Sequence, residues 1–86
     1  MIKVGYTRAF IKKYNALESE LRAEVKEKIE LFKDHINHAR LKVHKLHGDL
    51  SNYSSFSVNY RVRVVFQSVG KDHVLCVDVG DHEIYK

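Results

Sequence analysis

The chain has 86 residues, of which 44% are hydrophobic and 30% charged, a composition that is ordinary for a folded protein and does not suggest disorder, with room for one hydrophobic core. Lys and Arg number 15 against 11 Asp and Glu, a net charge of +4, and no apolar run approaches the ~20 residues of a membrane span. We therefore expect a single cytoplasmic domain over residues 1–86, without a secretory signal or a membrane partner.

The cysteine content also favours the cytoplasm. Cys76 is the sole cysteine and lies within an apolar strand pattern, so an internal disulfide is excluded and a reducing environment is favoured. We expect Cys76 to be a core residue.

The first half of the chain carries helical patterns. Residues 2–5 are a short strand candidate, and Thr7 is a plausible N-cap for a helix over residues 8–14. A second, longer helix is predicted by apolar residues that recur at steps of four, four, three and four, namely Leu21, Val25, Ile29, Phe32 and Ile36. We expect the two helices to form a hairpin that covers a sheet.

Charge is separated along the chain. Six acidic residues fall between residues 18 and 34, whereas residues 35–48 contain none. Residues 38–50 have weak periodicity and predict a basic, irregular connection. A basic side of this kind is the usual footprint of a phosphate-rich partner.

The second half of the chain carries strand patterns. Residues 53–58 alternate, Asn59 predicts a tight turn, and residues 60–66 alternate strictly. We expect Gly70 to allow the next turn, residues 73–79 to return as an apolar strand, and Gly80 to break it. The alternation from residue 60 predicts Tyr60, Val62, Val64 and Phe66 on the core face and Arg61, Arg63 and Val65 on the other.

The predicted element order is β-α-α-β-β-β. Helices grouped before strands predict an α+β fold, a small antiparallel sheet packed on an N-terminal helical hairpin. The sequence contains no proline, repeat or low-complexity segment that would indicate a second domain.

Two histidine pairs have metal-ligand spacing, His35 with His38 and His44 with His47. Structural zinc sites usually include thiolates, and the lysines beside the second pair would oppose a cation. We predict no metal and no other cofactor. His35 and His38 lie where the predicted long helix ends, a place where cationic side chains are favoured for structural reasons.

Three residues of the C-terminal hairpin are candidates for chemistry. Arg61 and Arg63 project from a rigid strand, where a guanidinium can hold a phosphate through two hydrogen bonds. The alternative is a solvated edge or, for Arg63, an ion pair with Asp78 on the adjacent strand. His82 can titrate near neutral pH. Its alternative is a solvated position in a tail that Tyr85 anchors.

The whole pattern resembles the RelE/ParE superfamily of toxins over essentially its full length. The resemblance is carried by LHGDL at residues 46–50, by Tyr60-Arg61, and by VGDHEIY at residues 79–85 with its glycine-x-histidine-x-x-tyrosine ending. It implies a twisted antiparallel sheet on two helices, a cognate acidic antitoxin as partner, and no metal. In the RelE-like branch it also implies cleavage of messenger RNA in the ribosomal A site.

The resemblance also implies roles for individual residues. Arg61 matches the arginine that stabilises phosphate charge, His82 the terminal histidine that acts as acid or base, and Tyr85 the terminal aromatic. His44 fits the histidine of the basic stretch better than His47 does. Residues expected to contact RNA are Arg40, Lys42, Lys45, His47 and Arg63.

Three functions stay open at this point. The first is a ribosome-dependent endoribonuclease, in which a ribose 2′-hydroxyl attacks the neighbouring phosphodiester and needs a proton acceptor, a proton donor and fixed positive charge. The second is a ParE-like toxin that binds DNA gyrase. The third is an inactive protein that only binds its antitoxin, because Asn59 stands where some histidine-dependent members have an acid. The clustered histidines and arginines favour the first.

Overall fold

A computed structural model of the chain describes residues 1–81. Two helices pack on one face of a five-stranded sheet, with two short 3-10 turns between the second helix and the third strand. The elements are β1 Lys3–Tyr6, α1 Arg8–Ala16, α2 Ser19–Phe32, a 3-10 turn His35–Asn37, β2 His44–Lys45, a 3-10 turn Gly48–Leu50, β3 Ser54–Ser57, β4 Val62–Gly70 and β5 His73–Asp81. The predicted α+β class is confirmed.

The sheet is mixed. Its strand order is β1-β5-β4-β3-β2, with β1 parallel to β5 and the other neighbours antiparallel. The parallel pair arises because α1 and α2 carry the chain from one edge of the sheet across to the other before β2 begins. The short strand β2 was predicted as loop, since two residues are too few to produce a periodic pattern.

The helices begin largely as the sequence predicts. The side-chain oxygen of Thr7 accepts a hydrogen bond from the backbone N–H of Phe10 at 3.1 Å, so the predicted N-cap of α1 is confirmed. The prediction that Ile36 continues the stripe of α2 is wrong. A carboxylate oxygen of Asp34 accepts from the N–H of Ile36 at 3.1 Å and starts a new 3-10 turn, and the Ile36 side chain is 82% exposed.

The core lies between the helices and one face of the sheet. The ring of Phe32 stacks on Phe56 with centroids 4.6 Å apart and tilts against Phe66 at 4.8 Å. Cys76 is fully buried in this core, as expected, and burial raises the pKa of its thiol to about 12. The thiol therefore stays protonated, and Cys76 is a packing residue with no nucleophilic character.

The C-terminal hairpin differs from its prediction at both ends. β4 begins at Val62, and Tyr60 is 87% exposed, so its predicted core position is wrong. β5 runs through Gly80 to Asp81, with Gly80 paired opposite Arg63, so Gly80 does not break the strand. At the turn, Asp72 takes the positive φ of 53° that Gly70 was expected to supply, because Asp tolerates this region.

No helix within residues 1–81 combines the length and the apolar character that a bilayer span requires.

Candidate functional site

The sheet face away from the helices carries the candidate site. Val64 belongs to the core, so strand alternation places Arg63 and Val65 on the opposite face. The register aligns Arg63 with Ser57 of β3, and Val65 with Ser55, which in turn pairs with His44 of β2. His44, Ser55 and Arg63 therefore share this face.

Val65 and Ser55 are buried on this face, at 2% and 0% exposure. The alternation of Arg61, Arg63 and Val65 suggested a solvent-exposed face. The burial of Val65 and Ser55 shows that part of this face is covered. The Oγ atom of Ser55 has no hydrogen-bond partner among the described residues. The side chains of His44 and Arg63 therefore lie on sheet residues that are largely shielded from water.

His44 and Arg63 form the centre of the site. The Nδ1 atom of His44 lies 2.9 Å from the carbonyl oxygen of Lys42, and its Nε2 atom lies 3.2 Å from Nη1 of Arg63. Because a carbonyl only accepts and a guanidinium only donates, the ring proton belongs on Nδ1 and the lone pair on Nε2. This arrangement presents a neutral imidazole with its basic nitrogen beside a fixed positive charge.

Arg63 was expected to have Asp78 as an alternative partner, and this expectation is wrong. A carboxylate oxygen of Asp78 lies 2.7 Å from Nζ of Lys13 on α1 and also accepts from the backbone N–H of Val79 at 2.9 Å. A bulge in β5 next to Asp78 turns the strand there, and α1 runs alongside it. Asp78 therefore ties α1 to the sheet.

Arg61 precedes the strand. Its backbone N–H donates to the side-chain oxygen of Asn59 at 2.8 Å, and its guanidinium lies 3.8 Å from a carboxylate oxygen of Asp81, with the Arg61 side chain 66% exposed. Asn59 also donates to Glu24 at 2.8 Å, so Asn59 is fixed as a turn residue. Arg61 thus stands at the rim of the face and Arg63 within it.

The basic stretch divides between several surfaces. Arg40 and Lys42 line a cavity between α2 and the turn before β4. Lys45 follows His44, so alternation turns its side chain toward the opposite face of β2. His47 is exposed and starts the 3-10 turn without a side-chain capping bond. Among the predicted site residues, the side chains of His44 and Arg63 are in direct contact.

The remaining predicted site residues are His82 and Tyr85, which lie outside the described residues. The sequence did not indicate Lys28 or Tyr60, although both line the cavity with Arg40 and Lys42. Tyr60 was missed because strict alternation extended the strand two residues too far. The Asn59 turn was the signal that places residue 60 before the strand.

The described residues hold no group of three or more His, Cys, Asp or Glu side chains suited to a metal ion. His35 and His38 have ring centroids 4.9 Å apart, but Nε2 of His38 lies 2.8 Å from the carbonyl oxygen of Phe32. That nitrogen is the donor of a helix C-terminal cap.

Neither protein-family models nor the sequences of curated proteins match this chain. Solved structures do. YafQ from E. coli strain BL21(DE3) matches with a TM-score of 0.73 at 16% identity, covering 98% of this chain and 97% of that one. The YoeB/ParE toxin from Agrobacterium tumefaciens matches with 0.68 at 18% identity, covering 94% and 99%.

A heterotetrameric complex of the YoeB-YefM toxin-antitoxin from Staphylococcus aureus matches with a TM-score of 0.69 at 18% identity, covering 95% of this chain and 98% of that one. The chain therefore has the fold of these toxins along nearly its whole length. The fold that the resemblance implies is therefore confirmed.

Proposed function

We propose that this protein is the toxin of a type II toxin-antitoxin pair and that it cleaves messenger RNA on the ribosome without a metal. The observation that carries the proposal is the His44–Arg63 pair, with the lone pair of Nε2 beside a guanidinium 3.2 Å away. A protein that only binds a partner has no need to hold a basic nitrogen against a cation on a rigid sheet.

In the proposed reaction, a ribose 2′-hydroxyl attacks the adjacent phosphorus. Nε2 of His44 takes the hydroxyl proton, while the guanidinium of Arg63 swings from His44 to the phosphate oxygens and stabilises their added charge. The new bond joins the 2′-oxygen to phosphorus, the bond to the 5′-oxygen breaks, and that oxygen leaves with a proton. The products are a 2′,3′-cyclic phosphate and a 5′-hydroxyl end.

The proton donor for the leaving 5′-oxygen is proposed from the family resemblance. His82 matches the terminal histidine of that family, and Tyr85 its terminal aromatic residue. Arg61, at the rim beside Asp81, is proposed as a second phosphate contact. His47 stays an alternative to His44 as base, although no hydrogen bond from another residue within 1–81 fixes its side chain at the face.

The decisive experiment is primer extension on a message translated in a purified system, with and without the protein. Cuts in codon register are expected, and only when ribosomes translate the message. The matched control is a supercoiling assay with DNA gyrase. Gyrase inhibition with an intact message would replace the nuclease by the ParE-like alternative, and neither effect would leave an inactive toxin fold.

The proposed partner is a small acidic antitoxin. A structural relative was solved in complex with its antitoxin, and the acid-free stretch 35–48 gives this chain a basic surface. A flexible segment rich in Asp, Glu and Leu would fold on binding and cover the cations. Co-expression with the neighbouring open reading frame should yield a co-purifying complex, and a neighbouring product that is basic or does not bind contradicts this proposal.

A further inference from the structure

A small cavity between α2 and the sheet is joined through Lys42 to the His44–Arg63 site, which lies on the other face of the sheet. Its volume is about 260 Å³, below the ~300–1,000 Å³ of sites for drug-sized ligands. Lys28 and Leu31 of α2 form one wall, the segment 40–42 forms a second, and residues 57–60 form the third.

The walls of this cavity are strongly basic. Of the described residues that line it, three are cations, Lys28, Arg40 and Lys42, and none is acidic. Lys28 lies 3.3 Å from a carboxylate oxygen of Glu27, so its charge is partly offset. Arg40 and Lys42 make no ion pair within residues 1–81. These two side chains can therefore bind an anion without first losing a partner.

An aromatic ring stands at the mouth of the cavity. The Tyr60 side chain is 87% exposed, yet its backbone is held by the turn in which Asn59 accepts from two N–H groups and donates to Glu24. A ring on a fixed turn offers a flat apolar surface at low entropic cost. Fixed aromatic rings beside cations are the standard platform for single-stranded nucleic acid.

The cavity and the site share Lys42. Its side chain lines the cavity, and its carbonyl oxygen accepts from Nδ1 of His44 at 2.9 Å. Its φ of 56° is left-handed, a conformation that costs a lysine roughly 1–2 kcal/mol. This strained residue places a cation in the cavity and its own carbonyl under the imidazole of the site.

We propose that this cavity binds the nucleotide next to the cleaved phosphodiester, with its base stacked on Tyr60 and its phosphate held by Arg40 and Lys42. The ligand class is single-stranded RNA, because an acidic peptide would use the cations but not the exposed ring. This inference rests on the proposed nuclease function, since it extends the substrate strand from His44 and Arg63 into the cavity.

The test is equilibrium binding of a short single-stranded 2′-O-methyl RNA, which cannot be cleaved, measured by fluorescence anisotropy. Tyr60→Ala should weaken binding by roughly 5- to 150-fold, the range found for loss of one stacked base. Tyr60→Phe, the matched control, should stay within about twofold of wild type because it keeps the ring. An abasic nucleotide at the stacked position should remove the difference between wild type and Tyr60→Ala.

Lys42→Gly tests the cationic part without risk to the fold, because glycine adopts a positive φ readily. It should weaken binding and lower the slope of log affinity against log salt by about 0.7. The triple change of Arg40, Lys42 and Lys45 to alanine should not exceed the double change of Arg40 and Lys42, since Lys45 does not line the cavity.

Unchanged RNA affinity in Tyr60→Ala overturns the proposal, and so does a loss that is equal for RNA and for an Asp/Glu-rich peptide, which would indicate a protein-binding surface. These outcomes are distinct from failure of the nuclease. A protein that binds RNA through Tyr60 but leaves every translated message intact keeps the cavity and rejects the cleavage reaction.

Discussion

Two histidine pairs with the same spacing have opposite surroundings. His38, which follows the 3-10 turn after α2, donates from Nε2 to the carbonyl oxygen of Phe32 and stacks on the Phe32 ring with centroids 4.7 Å apart. His44, on β2, also uses one nitrogen for a backbone carbonyl, but its second nitrogen faces Arg63. A hydrogen bond to a backbone carbonyl fixes both rings. The other contacts of each ring distinguish the packing role of His38 from the proposed catalytic role of His44.

The largest expected effect tests the different roles of His44 and His38. His44→Ala should lower the rate of message cleavage by ~10²–10⁴ and remove one limb of the pH–rate profile, because the proposed base is lost. His38→Ala should leave the rate unchanged. It should instead lower the free energy of unfolding by about 1–3 kcal/mol, because the Phe32 carbonyl loses its donor and the ring its stacking partner.

Both variants are measured by single-turnover cleavage on stalled ribosomes and by urea unfolding. The reverse pattern, with a stable but inactive His38→Ala protein, would contradict the assignment of roles. A His44→Ala protein that keeps both pH limbs would transfer the role of base to His47.

The second effect separates two arginines at the start of β4, Arg61 just before the strand and Arg63 within it. Arg63→Ala should lower the cleavage rate by ~10²–10³ through loss of charge stabilisation at the phosphate. Arg61→Ala should cost about tenfold or less, since its side chain is 66% exposed and already lies near Asp81. Arg63→Lys should recover only part of the rate, because an ammonium cannot donate in a planar fork.

The measurement is the initial rate at saturating ribosome–message complex, with circular dichroism as the control for folding. A larger loss in Arg61→Ala than in Arg63→Ala would return the principal phosphate contact to Arg61, as the family resemblance implies. Equal small losses in both variants would show that neither guanidinium stabilises the phosphate charge in the proposed reaction.

The sequence predicted the fold well, because its periodic stretches are long. The stripe at Val25, Ile29 and Phe32 is buried as its spacing requires. Thr7 caps α1 because a hydroxyl before a helix has a local partner three residues on. Such short-range rules need no knowledge of the rest of the chain.

What the sequence did not predict depends on contacts across the chain. Tyr60 follows the alternation but precedes the strand, because Asn59 is tied to Glu24 on α2 and delays the start of β4. The pairing of His44 with Arg63 depends on β2, a strand of two residues. Spacing along the chain carries no information on which of two histidines, or which of two arginines, the sheet brings into contact.

The smallest expected effect concerns Ser55, which pairs with His44 in the register of the sheet. Its Oγ atom is buried without a hydrogen-bond partner among the described residues, and a buried hydroxyl in that state costs roughly 1–3 kcal/mol. Ser55→Ala should therefore raise the free energy of unfolding by about 1 kcal/mol, because relief of that cost exceeds the packing lost with one oxygen atom. Cleavage should be unchanged.

Ser57→Ala is the matched control. Ser57 is half-buried on the same strand and pairs with Arg63, so its change should move the free energy of unfolding by less than about 0.5 kcal/mol. Urea midpoints at constant slope give both values. If Ser55→Ala is destabilising instead, its hydroxyl has a partner in solution, and an ordered water beneath His44 would fit that result. If the cleavage rate of Ser55→Ala falls as well, that water helps to hold the His44 ring in place, and Ser55 is a positioning residue of the site.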